Sequence, residues 1–202
     1  MRKYLLSLSL ILTLLLASCS VTLSPPTISE PTVPDTVAKY PETDSVTPTP
    51  ALKKIDAHVL RVLDGDTFEV ITASKEKKTV RMLLIDTPES VHPSKPVMPY
   101  GKEASDFAKE LLTDKDVTLE YDVGDQKDKY GRDLCYVYLL GVSVQGQLLE
   151  MGLGIISYVY EPNTTHLESF QKSQETARKT HVGVWSQDGY VLQSGNGYRY
   201  SE

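Results

Sequence analysis

The chain predicts an α+β domain, a small five-stranded Greek-key β-barrel with three helices appended. Three observations carry this. Runs rich in β-branched and aromatic residues recur in close succession over 55–63, 66–73 and 79–86, parted only by short turn-forming segments. A helical apolar period at 100–112 is followed by two more strand-like runs, 117–121 and 134–140. Two further helical segments, 145–151 and one beginning near 163, complete the order β-β-β-α-β-β-α-α. The OB-fold is a five-stranded barrel of this kind that handles oligonucleotides and oligosaccharides. Another α+β sandwich also accommodates the order.

The chain starts with segments that do not belong to the barrel. Met1-Arg2-Lys3 is basic, and Leu5–Leu16 is an apolar run of the length of a signal core, too short to span a bilayer stably. It ends in Leu16-Ala17-Ser18-Cys19, small residues before a cysteine, which is similar to a lipobox. This predicts a signal peptide over 1–18 and a diacylglyceryl anchor on Cys19, holding the protein on the extracytoplasmic face of the cell membrane. An ordinary secretory signal with an incidental cysteine is the alternative. Residues 19–51 read as a tether. Seven of the twelve prolines fall there among Ser and Thr, with no apolar period. At ~3 Å per residue the tether reaches up to roughly 90 Å. The folded domain is expected over 52–187, and 188–202, rich in Gly, Ser, Asn and Tyr, is expected to be a flexible tail.

Composition narrows the function. There are two cysteines, and with Cys19 assigned to the anchor Cys135 has no partner, so no disulfide framework exists. Cys135 lies in the apolar run 134–140 and reads as core filler. The net charge is −6, to which the tether contributes −3 (Glu30, Asp35, Glu42 and Asp44 against Lys39). That balance argues against bulk, non-specific nucleic-acid binding and leaves room for a local basic cleft. No feature predicts a protein partner, and the domain is expected to be monomeric.

The elements follow in order. The strand 55–63 stops at Asp64-Gly65, a tight-turn pair. The strand 66–73 reverses through the charged Ser74–Lys78 into 79–86. With the reversal centred on residue 76, antiparallel partners sum to 152 and Asp66 falls opposite Asp86. Facing carboxylates repel unless a cation lies between them, and oxygen donors at a loop edge suit Ca²⁺ or Mg²⁺ rather than zinc. Two unrelated surface turns would look the same. Residues 90–99 hold three prolines and read as a flap, with Lys95 available to a phosphate or simply solvated. In the 100–112 helix Ala104, Phe107, Ala108, Leu111 and Leu112 share a face. Gly152 suits the end of the 145–151 helix, Asn163 suits the start of the last one, and Trp185 is expected to pack at the domain edge.

The polar groups at the strand ends have a common chemistry. Asp66, Arg81, Asp86, Thr87, Glu89 and Arg132 comprise a carboxylate pair, a further carboxylate and two guanidinium groups. Phosphodiester hydrolysis needs such parts. A divalent ion neutralises and orients the phosphate, arginines hold its oxygens and the extra charge of the transition state, and a carboxylate activates water. Tyr130, Tyr158 and Tyr160 offer faces for base stacking, although strand tyrosines are more often filler.

In sequence these residues stand as Asp64-Gly65-Asp66-Thr67, Arg81-Met82-Leu83-Leu84-Ile85-Asp86-Thr87-Pro88-Glu89, Asp128-Lys129-Tyr130-Gly131-Arg132 and Tyr158-Val159-Tyr160-Glu161-Pro162-Asn163. Over residues 57–186 this set, in this order, resembles the staphylococcal nuclease (thermonuclease) family. The resemblance implies a barrel of the OB type with three helices, and a Ca²⁺-dependent nuclease cutting DNA and RNA to 3′-phosphate products. It implies one Ca²⁺ held by Asp66, Asp86 and the carbonyl of Thr87, Glu89 as general base or water-positioning group, and Arg81 and Arg132 on the scissile phosphate. Lys129, Tyr130, Tyr158 and Tyr160 would line the nucleotide pocket. Two features depart from the pattern: the flap is less basic, and the chain is acidic, which predicts a shallower salt dependence. One geometric demand also follows. Arg81 and Asp86 are an odd number of residues apart, so strict alternation sets them on opposite faces, and a bulge or twist must intervene. A non-catalytic binding module on the same barrel is the rival reading, and an oligosaccharide- or peptide-binding lipoprotein a third. Neither uses the complete Arg/Glu/Asp set.

Overall fold

The structure, a computed structural model, describes residues 51–91, 94 and 96–201. Cys19, the tether and Lys95 lie outside the described residues. The described elements are β1 (Lys53–Asp64), β2 (Thr67–Thr72), β3 (Lys77–Met82), β4 (Ile85–Asp86), α1 (Gly101–Leu112), β5 (Asp116–Tyr121) and β6 (Asp133–Leu139). After these come β7 (Val142–Ser143), α2 (Val144–Glu150), β8 (Ile155–Ile156), α3 (Leu167–Thr180), a 3₁₀ turn (Gly183–Ser186), β9 (Val191–Ser194) and β10 (Gly197–Tyr200).

Five of these strands make the barrel. They lie in the order β3-β2-β1-β5-β6, and a parallel pairing of β3 with β6 closes the circle. β7 merely extends β6 at its far end. The meander pairs as its alternation dictates. In β2, Phe68, Val70 and Thr72 face inward while Thr67, Glu69 and Ile71 are only half-buried. β1 serves two neighbours, β5 along its first half and β2 along its second. Register shifts between Val59 and Arg61 and between Val62 and Asp64 bend it to do so. The core is made of Val59, Phe68, Val80, Leu119, Val137 and their neighbours, with α1 contributing Ala104 and Leu112. Cys135 is fully buried among them as a free thiol, and burial pushes its pKa up to about 12.

Two buried amides fasten the helices to the strands. Gln145 of α2 accepts from Val137 N–H (3.0 Å) and donates to Cys135 O (3.1 Å). Gln174 of α3 accepts from Ile156 N–H at 2.7 Å. α2 ends as predicted, with Gly152 at positive φ, its N–H bonded to Leu149 O and that of Leu153 to Leu148 O.

Four expectations are corrected. The reversal after β2 is centred on residue 74, two residues before the predicted centre: Thr67 pairs with Arg81, not Asp66 with Asp86. β3 ends at Met82, and Leu84 takes φ 61, so Asp86 belongs to a separate short strand paired with β8. Asn163 does not cap α3, which starts at Leu167. Its side chain instead accepts from Gly124 N–H and donates to Asp125 O, pinning the loop between β5 and β6. Residues 191–200 are not frayed: β9 and β10 form an antiparallel hairpin.

Candidate active site

The turn at Leu83–Leu84 meets the geometric demand that alternation set. By breaking the strand it swings Asp86 to the same side as Arg81, and Arg81 fills the space between them. The Arg81 side chain is buried. Nη1 donates to Met82 O (2.9 Å) and Ile85 O (2.7 Å), which stitches the turn together. Nη2 lies 3.0 Å from Asp86 Oδ1 and 3.1 Å from Asp66 Oδ2. The two predicted carboxylates therefore do converge, through a shared guanidinium rather than across a ladder. Asp66 is further held by Thr87 N–H (3.1 Å) and Thr67 Oγ1 (2.8 Å). Gly65 permits this packing, since a Cβ there would stand 2.6 Å from Thr87 Oγ1.

Glu89 follows in the loop, half-buried, with Oε1 accepting from Val91 N–H at 2.9 Å. A fourth carboxylate, absent from the sequence-based set, joins it. Asp64 accepts a 2.5 Å hydrogen bond from Ser90 Oγ. Burial pushes the Asp64 carboxyl up to about 6, against the bonds from Ser90 and Gly65 and with the charges of Asp66 and Glu89 adding to the rise. Burial, then the charge of Asp66, raises Asp86 to about 7 despite Arg81 beside it. The signal for Asp64 was in the Asp64-Gly65 pair, read as turn chemistry alone.

Could these residues hold a metal ion? Among the described residues no three His, Cys, Asp or Glu side chains are arranged as a ready cage. The donors that converge are all hard oxygens, which fits Ca²⁺ or Mg²⁺ and excludes a thiolate or imidazole site. Of the four neighbouring carboxylates only Asp66 and Asp86 pair with Arg81, so the cluster is short of positive charge. The Thr87 hydroxyl is buried with no hydrogen-bond partner beside them. By donor chemistry and charge, the residues fit a hard divalent cation.

The phosphate side is a cleft of about 720 Å³ lined by both Arg81 and Arg132. Arg132 sits in the loop between β5 and β6. Asp128 bonds both its backbone N–H (2.9 Å) and its Nε (2.6 Å), and also accepts from Tyr130 N–H, so this carboxylate orients the guanidinium. Gly131, at φ 79, supplies the left-handed residue the tight loop requires. Sequence reasoning quoted Asp128 without assigning it a role. Lys129 and the tyrosines of the set line the same cleft. Tyr130, Tyr158 and Tyr160 are 73%, 56% and 71% exposed, which rules out the strand-filler reading. The Arg81 guanidinium lies 5.4 Å from the Tyr158 ring and that of Arg132 5.5 Å from Tyr130, so each arginine is paired with an aromatic face.

A five-stranded barrel that sets two arginines in one tyrosine-rimmed cleft, with a carboxylate cluster beside one of them, defines the class: an α+β barrel phosphodiesterase. Residues 79–187 match the family described as Staphylococcal nuclease homologue. The chain is 39% identical to Endonuclease YncB of Bacillus subtilis (strain 168) over 206 residues, covering 96% of this chain and 97% of that protein. It is 47% identical over 141 residues to the SPbeta prophage-derived endonuclease YokF of the same organism, covering 70% of this chain and 47% of that one. It is 43% identical over 128 residues to the Thermonuclease of Staphylococcus hyicus, covering 63% of this chain and 74% of that enzyme. The chain belongs to the staphylococcal nuclease family.

Proposed function

We propose that this protein is a calcium-dependent nuclease that hydrolyses DNA and RNA to 3′-phosphate products, held on the outer face of the cell membrane by a lipid on Cys19. The observation that carries the nuclease reading is that Arg81 and Arg132 line one cleft together with the exposed Tyr130, Tyr158 and Tyr160. Two guanidinium groups in one cleft offer paired donors to phosphodiester oxygens. The aromatic rim takes bases by stacking without demanding one sequence.

Asp66, Asp86 and the carbonyl of Thr87 would hold one Ca²⁺, which supplies charge neutralisation and a template for the phosphate. The remaining work falls to the chain's own groups. Glu89 accepts a proton from the attacking water. Phosphorus gains that oxygen and loses the bond to the 5′ oxygen, which leaves as an alcohol, while the phosphate stays on the 3′ side. Arg81 and Arg132 would neutralise the charge that builds on the equatorial oxygens, and Arg132 would assist the leaving oxygen by donating a hydrogen bond to it while solvent supplies its proton. Lys129, Tyr130, Tyr158 and Tyr160 hold the flanking nucleotide.

The test is hydrolysis of single-stranded DNA with Ca²⁺, with EGTA and with Mg²⁺ alone. Calcium-dependent cleavage leaving 3′-phosphates is expected; binding without cleavage would make the chain a binding module. Glu89→Gln should lower kcat by about 10²–10⁴ with the fold intact by circular dichroism, and near-normal turnover would remove Glu89 from its role. Cys19→Ser should move the protein from the membrane fraction to the soluble one, and retention in the membrane would sink the anchor.

A further inference from the structure

The β9–β10 hairpin lies beyond residue 187, where the family match ends, and the chemistry above makes no use of it. It nonetheless builds a second core. Tyr190 and Tyr200 stack with ring centroids 5.2 Å apart and pack with Ile155 and Val184. Met98 and Tyr100, from the end of the loop that carries Glu89, close over them. The fit against the barrel is tight: a Cβ on Gly197 would stand 2.7 Å from Ile156 O, so glycine alone lets β10 lie this close to β8. β8 in turn pairs with β4, with Ile155 opposite Asp86.

The two tyrosines reach the two ends of one loop. Tyr200 donates its hydroxyl proton to Asp86 O at 2.9 Å, and Tyr190 donates to Pro99 O at 2.8 Å. Between those carbonyls lie Thr87 and Glu89. Ser201 N–H bonds back to Tyr190 O at 2.8 Å, which ties the hairpin's end to its beginning. Fixing both ends of a loop removes much of the freedom of what lies between.

We propose that Tyr190 and Tyr200 staple Pro99 and Asp86, on either side of Thr87 and Glu89, and that Tyr200 is a positioning residue for Asp86, setting the affinity for the divalent cation. This deepens the nuclease reading and rests on it. Among the described residues the hairpin makes no hydrogen bond or ion pair to either phosphate-binding arginine. It acts on the metal side of the site through backbone carbonyls, which no substitution at Asp86 itself would reveal.

The experiment compares the full chain, Tyr200→Phe, and Tyr198→Phe as a control on the same strand whose ring lies against Trp185 instead. Amide exchange across residues 86–100 is followed without metal, Ca²⁺ binding by calorimetry, and kcat at saturating Ca²⁺. Tyr200→Phe should speed exchange in that loop about tenfold. It should weaken Ca²⁺ binding about fivefold, the equivalent of about 1 kcal/mol for one lost hydrogen bond. Turnover at saturating Ca²⁺ should stay within about twofold, and Tyr198→Phe should match the parent in all three. Parent-like exchange in Tyr200→Phe overturns the staple. So does a lowered melting temperature with unchanged Ca²⁺ affinity, the mark of a purely structural residue. If the parent chain itself binds no Ca²⁺, the metal reading fails, and the exchange comparison still decides whether the staple exists.

Discussion

Arg81 and Arg132 face the same cleft, but their surroundings give them different second duties. Arg81 is buried and answers two carboxylates and two carbonyls of the turn it closes. Arg132 is held at one edge by Asp128 on a half-exposed loop. Replacing each with Ala should therefore separate fold from chemistry. Arg81→Ala leaves Asp66 and Asp86 unpaired and should cost about 3–5 kcal/mol in urea unfolding. Arg132→Ala should cost less than about 1 kcal/mol and still abolish most turnover. Equal stability losses would contradict the assignment of Arg81 as the hub of the turn. At this scale the sequence disclosed residue types well and their partners poorly. The arginines, Asp66, Asp86 and Glu89 were all named from motif chemistry. That Asp66 and Asp86 meet through Arg81 was not, because the meeting depends on one left-handed residue, Leu84. Leucine is an uncommon occupant of that conformation, and no turn signal marks it.

Among the elements, the turn joining β6 to β7 is the weakest made. Leu139 pairs with Val142, so Leu140 and Gly141 form a two-residue hairpin turn with φ 50 and 81. Leu140 is 94% exposed, so it contributes no burial to offset its strained backbone. Asn-Gly is the favoured pair for such a turn. Leu140→Asn should stabilise the domain by about 1 kcal/mol, raising Tm by about 3 °C in a thermal melt, with activity unchanged. The barrel strands were legible because each carries strand formers bounded by turn residues. The β9–β10 hairpin was missed although its turn, Gly195-Asn196 between Ser194 and Gly197, is a known hairpin pair. Its strands are four residues long and hold one or two apolar residues each, too short for alternation to register. Their order comes from tertiary contact with Ile155 and Met98. Asn163 failed as a helix cap for a related reason: a distant loop, at Gly124 and Asp125, competed for the side chain and won.

For the molecule as a whole, titration divides into two windows of opposite sign. Asp86 and Asp64 have carboxyls raised on folding to about 7 and about 6. Their contribution is complete below the unfolded carboxylate value and is lost as pH rises through those folded values. His58, raised by hydrogen bonds to Asp116 and then Asp114, adds to the same loss. Asp122 behaves oppositely. Burial pushes it up, but bonds from Thr165 and Tyr136 hold it below its ordinary value, so its contribution disappears as pH falls through the folded value. The metal-free protein should therefore melt highest in mild acid, near pH 5, and lower at both pH 8 and pH 3. Asp86→Asn should flatten the alkaline limb and Asp122→Asn the acid one; a metal-free melting curve that rises steadily to pH 8 would contradict this division.

The parallel seam between β3 and β6 has a consequence in time. Arg81 stands opposite Leu134 across that seam, two residues from Arg132. Everything between the seam's two strands, from β4 through α1 and β5, must be gathered in before it can form. Contacts so distant along the chain form late, after the local meander has condensed. A chain that has folded β1, β2 and β3 holds Arg81 without Arg132. The cleft comes into being in the step that closes the barrel, so no earlier folding intermediate carries it.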